Sequence, residues 1–533
     1  DNKIPEGTGF AKPGRISQLN TSFTERNWEL VVGVNKDLGK DFTLNVIAGG
    51  NIMTQHYDYN NVVGEGVVIP GLAVINNTST KTVSISESNK RINSLFATAE
   101  LGYKGFLYLN ATGRNDWFST LNPNNNSYLY PSVSGSFVFS ELFHMPEFID
   151  FGKFRVGYAS VGGDTDPYQL DLTYELLGFN YNGYPLGNIS QPTVPNRLLR
   201  PLSVSEFEVG FDVRFFKNRL GIDMAFYDKL TKNDITQETL TATSGYNGAS
   251  VNVGKLRNRG AELLIYGTPV QTSAFSWDIS LNGSYNKSNV LKISNQASEL
   301  NLGSRGKASV RLIEGEEYAQ IVGPAIERNE QGQDIISNDG LNIVNRGNVV
   351  SFGSGIHKWN MGITNTINYK SFALSFLVDG KFGAKLYSVS SYELDHRGMT
   401  VKSLLGRADG AILPGVKQSD GKPNDIMVTP SMAGNRLIVI NRREALNDYL
   451  YNASFIKLRS IALTYNFSKG VLNSVRFIKG ASISLVGNNL ALLMTHAKQI
   501  DPDGNWSTGN AQGIEASNLP PIKSYGVDIK LKF

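Results

Sequence analysis

Tyr525-Gly-Val-Asp-Ile-Lys-Leu-Lys-Phe533 is the stretch that decides the fold class of this chain. Tyr525, Val527, Ile529, Leu531 and Phe533 recur at a spacing of two, with Gly526, Asp528, Lys530 and Lys532 between them. Successive side chains of a strand point to opposite faces, so these residues give one apolar and one polar face. The pattern recurs upstream. Leu220, Ile222, Met224 and Phe226 alternate with Gly221, Asp223 and Ala225, and Ile461, Leu463, Tyr465 and Phe467 repeat it. Working outward, period-two segments mark strands at 21–35, 41–55, 92–103, 105–116, 129–140, 151–161, 205–216, 219–235, 258–268, 275–290, 357–369, 372–383, 454–467, 479–488 and 523–533. Many exceed the roughly five or six residues usual in soluble proteins. They match the roughly 9–11 that cross a bilayer at a tilt.

Composition agrees. Apolar residues make up 41% and charged residues only 18%, below the roughly 25% of an ordinary soluble domain. The sequence contains no apolar run of the ~18 residues that a membrane helix needs. The 54 glycines, 23 tyrosines and 27 phenylalanines suit tight strand packing and interfacial aromatic girdles. A net charge of +4, from 51 basic and 47 acidic residues, gives no footprint for nucleic acid. Cysteine is absent, which removes disulfides and thiolate chemistry.

Connections alternate in length. Phe215 to Leu220, Tyr103 to Phe106 and Tyr369 to Phe372 read as tight hairpins, whereas 56–91, 162–204, 291–356 and 384–453 read as long loops. Short turns on one rim and long loops on the other are the build of an outer-membrane barrel. The expected fold is therefore all-β, a transmembrane antiparallel barrel. Bacterial single-chain barrels close on an even strand number, and an open edge in lipid costs several kcal/mol per unpaired backbone group. Fifteen strands, no visible signal peptide and an opening Asp1-Asn-Lys are therefore read as the C-terminal part of something larger.

The residues then resemble a known family. Asn110-Ala-Thr-Gly-Arg-Asn-Asp116 with Tyr130-Pro-Ser-Val-Ser-Gly-Ser136, and Phe207 to Leu220 continuing through Phe226-Tyr-Asp-Lys-Leu-Thr-Lys232, are similar to stretches of SusC/RagA-type TonB-dependent transporters. So are Asn252 to Glu262, Phe455 to Tyr465, Gly487-Asn-Asn-Leu490 and Asp501-Pro-Asp503. The C-terminal strand ending in Phe533 resembles the membrane-insertion signal of such barrels, carried by Tyr525, Val527, Ile529, Leu531 and Phe533. The resemblance implies a barrel of about 22 strands, of which about fifteen lie here, with a plug domain that this chain lacks. It implies location in the outer membrane of a Gram-negative bacterium, in contact with its lipid. It also implies a SusD-like surface lipoprotein, TonB as energy source through an N-terminal portion of the same protein, and import of oligosaccharides or peptides. The alternative is a passive or structural barrel in a larger envelope complex.

Covalent chemistry has no support. The sequence holds no Gly-x-Ser-x-Gly, His-Glu-x-x-His or phosphate-loop motif, and His56, His144, His357, His396 and His496 are scattered. Asp501, Asp503 and Asn505 begin as a calcium loop does, but position twelve is Gln512 rather than Glu, so a turn held by Asx hydrogen bonds is the competing reading. The acidic run Asp334 to Asp339 is similar. No other cofactor is expected. Arg114 and Asp116 suit a strand-end ion pair, and Trp117 suits either an interfacial girdle or stacking on cargo. For cargo or a lid protein the loop aromatics are the candidates: Tyr168, Tyr174, Tyr181, Tyr184, Tyr387, Tyr392 and His396, with Trp117.

Overall fold

A computed structural model of the chain describes residues 2–4, 14–189, 193–240, 242–294, 297–431, 437–472, 477–497, 500–519 and 521–533. Fifteen long strands form its main sheet. They are β1 (Arg15–Leu38), β2 (Phe42–Val67), β3 (Thr78–Tyr103), β4 (Leu107–Phe118), β5 (Ser127–Val138), β6 (Ile149–Gly163), β7 (Leu202–Phe215), β8 (Leu220–Thr239), β9 (Gly248–Gln271), β10 (Phe275–Lys292), β11 (Trp359–Tyr369), β12 (Phe372–Phe382), β13 (Phe455–Asn466), β14 (Gly480–Thr495) and β15 (Ser524–Lys532). The short segments Asn2–Ile4 and Thr193–Val194 join the same sheet. Each long strand corresponds to one of the fifteen segments read from alternation. The chain divides into two compact units, one of 1–136, 157–206 and 231–254, the other of 137–156, 207–230 and 255–533.

In the first unit β1, β2 and β3 form an antiparallel ladder of unusual length, from Arg15↔Glu65 to Leu38↔Phe42 and on to Phe42↔Tyr103. The expected loop 56–91 is therefore wrong. Only 68–77 connects β2 to β3; the rest is strand. The stretch hid itself because both faces there are largely polar, with Asp58, Asn60 and Asn61 opposite Glu87, Ile85 and Ser84, so hydrophobic alternation vanishes while the backbone ladder persists. Below Trp28 the alternation returns. Trp28, Leu30, Val32 and Val34 share one face with Ile52, Val46 and Leu44, and on β3 with Leu95 and Leu101. The turn end carries stacked aromatics, Phe42 against Tyr103 at 4.7 Å and Tyr103 against Phe106 at 5.3 Å. Lys104 and Gly105 both take positive φ in the three-residue connection between β3 and β4, a tight turn closed by Phe106 N donating to Tyr103 O at 3.1 Å.

In the second unit β10 to β15 pair antiparallel in chain order. One face runs Ile367, Leu374, Leu463, Leu485 and Val527 across five strands. Tyr525, Val527, Ile529 and Leu531 are all at least half exposed. Aromatics gather at the turn end, Phe372 on Tyr465 at 5.0 Å, Tyr465 on Phe467 at 5.1 Å and Phe477 on Phe533 at 6.1 Å. The opposite face is polar. Thr464 bonds Ser484, Asn368 donates to Ser276, Thr268 donates to Asp278, and Arg257 pairs with Asp228. Eleven-residue strands β11 and β12 are the length that a tilted crossing needs. Two edges stand open among the described residues: β15 pairs only with β14, and β1 from Gln18 onward pairs only with β2.

The other expected loops are structured. Residues 162–204 hold a hairpin, Tyr174–Tyr181 with Tyr184–Ile189. Residues 291–356 hold a four-stranded sheet of Glu299–Arg305, Ala308–Ile313, Gln320–Ile326 and Val344–Ser354. Residues 384–453 add Lys385–Ser388 against Leu450–Asn452, and α1 (Val389–His396), whose first turn is capped by Ser388 Oγ accepting from Ser391 N at 3.0 Å. Residues 190–192, 295–296 and 432–436 of these stretches lie outside the described residues. Val310, Ile321, Tyr387, Tyr392, Leu446, Tyr449 and Ile514 pack into one buried cluster. Leu446 is fully buried. Leu446→Ala is predicted to destabilise this module by about 2–5 kcal/mol, seen as faster amide exchange over 299–326 and 385–396. Unchanged protection there would remove the claim that the module has a core of its own.

Candidate functional site

The second unit's charged residues converge where β12 and β13 meet the segment 500–519. β12 places Asp379 and Lys381 on its polar face, and a register shift in β13 brings Lys457 and Arg459 beside them. Arg459 donates to both Asp379 oxygens at 2.7 and 2.8 Å and to Asp503 at 2.9 Å. Lys381 donates to Asp503 at 3.0 Å. Lys457, almost completely buried, donates to Asp501 at 2.7 and 3.0 Å. Three carboxylates thus face three cations, which is what burying charge requires. Burial alone would raise the Asp503 carboxyl, but hydrogen bonds from Lys381 and Arg459 outweigh it and hold the group at about 2.

This arrangement bears on the calcium reading. Asp501 and Asp503 are held by protein cations, Asp501 Oδ1 also accepts from Asp503 N at 2.8 Å, and Asn505 Oδ1 accepts from Gly513 N at 2.7 Å. The geometry is that of the Asx-type turn. Among the described residues no group of three acidic or histidine side chains is placed to hold a metal. Asp334 is similarly engaged, by Arg328 at 2.9 Å and Asn342 at 3.2 Å.

Beside the ion lattice lies a cleft of about 740 Å³, lined by Lys457, Asn489, Asp501, Asn505, Glu515 and Asn518 among others. Glu515 is buried and accepts from Ser388 at 2.7 Å and Ser390 at 2.6 Å. Amide and carboxylate groups of this kind hydrogen-bond hydroxyls and peptide groups alike. Of the lining asparagines, Asn505 stood out in the sequence only within the calcium reading and Asn489 only within a family stretch; their convergence with Asn518 depends on the fold of 500–519.

The aromatic candidates separate. Tyr387 and Tyr392 are 0% and 6% exposed and belong to the buried module core, a correction to their expected role as contact residues. Tyr392 faces the Arg443 guanidinium at 4.3 Å and Tyr449 at 5.7 Å. His396 is half-buried at the end of α1. Trp117 shares the apolar strand face with Trp28, Leu30, Ile52 and Leu95. Arg114 and Asp116 do pair, at 2.8 Å. Tyr174, Tyr181 and Tyr184 are 78%, 68% and 73% exposed on their hairpin, whose Asn182-Gly183 turn has φ of 49° and 82°. Tyr168 lies against β3, its hydroxyl accepting from Asn89 N at 3.3 Å.

Comparison with known proteins adds the lineage. Residues 4–394 match the family model described as TonB dependent receptor-like, beta-barrel. TonB-dependent receptor P39 of Formosa agariphila is 24% identical, the match covering 99% of this chain and 55% of that protein. TonB-dependent receptor SusC of Bacteroides thetaiotaomicron is 23% identical over 72% of this chain and 37% of its own length. The structure of the RagAB peptide transporter superposes with a TM-score of 0.77 at 18% identity, over 98% of this chain and 56% of that one. The chain spans about half the length of the curated relatives it matches.

Acidification tests the lattice. Asp503 is depressed in the folded state, so its contribution is complete above the ordinary carboxylate value near 4 and fades as pH falls toward 2. Asp503→Asn is predicted to lower the melting temperature at pH 7 and to flatten its fall between pH 4 and 2. Calcium and EDTA are predicted to leave the melting temperature unchanged; a calcium-dependent rise lost in Asp503→Asn would restore the metal reading.

Proposed function

The chain belongs to the TonB-dependent receptor-like β-barrel family, and from that premise we propose that it forms barrel wall and loop surface of an active outer-membrane importer. The observation that carries the proposal is the division of faces: an apolar face bounded by aromatics on one side of the ladder, a polar face with a hydrogen-bonding cleft at its loop-bearing end on the other. Such a wall separates lipid from a polar path. Family membership also agrees with the expected lack of covalent chemistry, since the curated relatives are named receptors rather than enzymes.

In this reading the open edges of β1 and β15 pair with further strands of the same protein, because unpaired backbone in lipid is costly. Cargo enters past the exposed hairpin of Tyr174, Tyr181 and Tyr184, where aromatic faces suit sugar rings or peptide side chains. A SusD-like lipoprotein covers that entrance, and TonB opens the path by pulling on a plug. The cargo class is oligosaccharide or peptide. The ion lattice holds the segment 500–519 rigid, so that the cleft keeps its shape while cargo passes.

Uptake by cells expressing the full-length protein tests this. Labelled oligosaccharides or peptides are predicted to accumulate, accumulation to stop when a protonophore collapses the inner-membrane gradient, and Tyr174→Ser/Tyr181→Ser/Tyr184→Ser to reduce it about tenfold with the barrel still heat-modifiable. Passage that persists without the gradient would replace the importer with a passive barrel.

A further inference from the structure

A second site lies on the apolar face of the first unit. Arg26 on β1, Thr54 on β2 and Arg91 on β3 stand opposite one another in register, and the main chain of Arg91 is bridged to Ser119 by two hydrogen bonds of 2.9 Å. One pair step nearer the turn end, Trp28, Ile52, Asn93 and Trp117 form the next row, and then Leu30, Gly50 and Leu95. The two arginines thus sit at the border where the aromatic and aliphatic belt gives way to polar residues. They are two strand spacings apart, about 10 Å, close enough for both guanidinium groups to meet on one anion. Neither has a carboxylate partner among the described residues, and Arg91 Nε donates to the neutral Asn93 at 3.0 Å. On this face the acids Asp58 and Glu87 lie two rows farther on, and Asp58 is bound to His56 at 3.0 Å. Glu29, beside the groove, alternates to the opposite face.

Two adjoining depressions of about 630 Å³ each meet at Arg91. The first is polar and basic, lined by Thr24, Arg26, Thr54, His56, Asn89 and Arg91 among others. The second is apolar, between Trp28, Leu30, Ile52, Leu95 and Trp117. Gly50 forms its floor. A Cβ there would meet Leu95 Cδ2 at 3.2 Å, so the missing side chain leaves a notch between Leu30 and Leu95.

We propose that Arg26 and Arg91 bind the phosphate of a phosphorylated membrane lipid whose acyl chain lies in the groove floored by Gly50. Guanidinium forks bind phosphate bidentately and tolerate partial desolvation, and belt tryptophans sit at the headgroup level. A free phosphate would meet only the upper half of the site. The inference rests on the apolar face meeting lipid and not on import, so it can fail while uptake stands.

Native mass spectrometry of the full-length protein in detergent tests it, using a monophosphorylated diglucosamine lipid and its dephosphorylated form as probes. The native protein is expected to retain the phosphorylated lipid, and Arg26→Gln/Arg91→Gln to retain about tenfold less or lower still. Lys104→Gln, at the turn end, should match the native protein. Arg26→Gln alone, an exposed substitution, should show a partial loss should the double variant not fold. Equal retention of both lipids, displacement of the lipid by millimolar inorganic phosphate, or undiminished retention in Arg26→Gln and the double variant would overturn the proposal.

Discussion

Every feature of this chain depends on how its backbone hydrogen bonds are satisfied. An antiparallel ladder pairs each strand's N–H and C=O groups with its neighbours and leaves the two faces free to differ. That freedom is what the sequence exploits. On β15, Val527 and Asp528 are adjacent in the chain yet belong to opposite chemical surroundings, and the register to Leu485 and Ser484 on β14 carries the distinction across the sheet. A slip of one residue would put Asp528 and Lys530 among Leu485 and Leu463.

Polar interactions do the complementary work at the loop-bearing end. The segment 500–519 is held by carboxylates paired with Lys381, Lys457 and Arg459, not by apolar burial alone. The module built on 299–354 and 385–452 does have a hydrocarbon core, and it spends Tyr387, Tyr392 and Tyr449 on packing. Exposed aromatics stand instead on the hairpin at 174–189. The same residue type is therefore buried in one stretch and exposed in another.

Strand existence was legible from alternation, since a period of two with aromatics at the ends needs no tertiary information: β11, β12 and β15 differ from expectation by no more than two residues at either end. Strand length was not. Beyond Trp28, β1 to β3 are largely polar on both faces, with no apolar alternation to follow, and only the backbone register shows that Asn60 still faces Ile85. The loop module was illegible for a different reason. Its strands are short and its core joins Val310, Leu446 and Ile514, which are far apart in sequence. The acidic run at Asp501 was visible, but its partners Lys457 and Arg459 come together with it only through the bulge in β13.

This chain has no cysteine, and single cysteines along Tyr525 to Lys532 of the full-length protein, with any cysteine outside this chain replaced by serine, measure the division of faces directly in native membranes. Positions 525, 527, 529 and 531 are predicted to react with a lipid-soluble maleimide and to resist a water-soluble one, while 526, 528 and 530 react with the water-soluble reagent. Equal reactivity of both sets toward the water-soluble maleimide would mean that the apolar face does not meet lipid, and the barrel wall would be refuted.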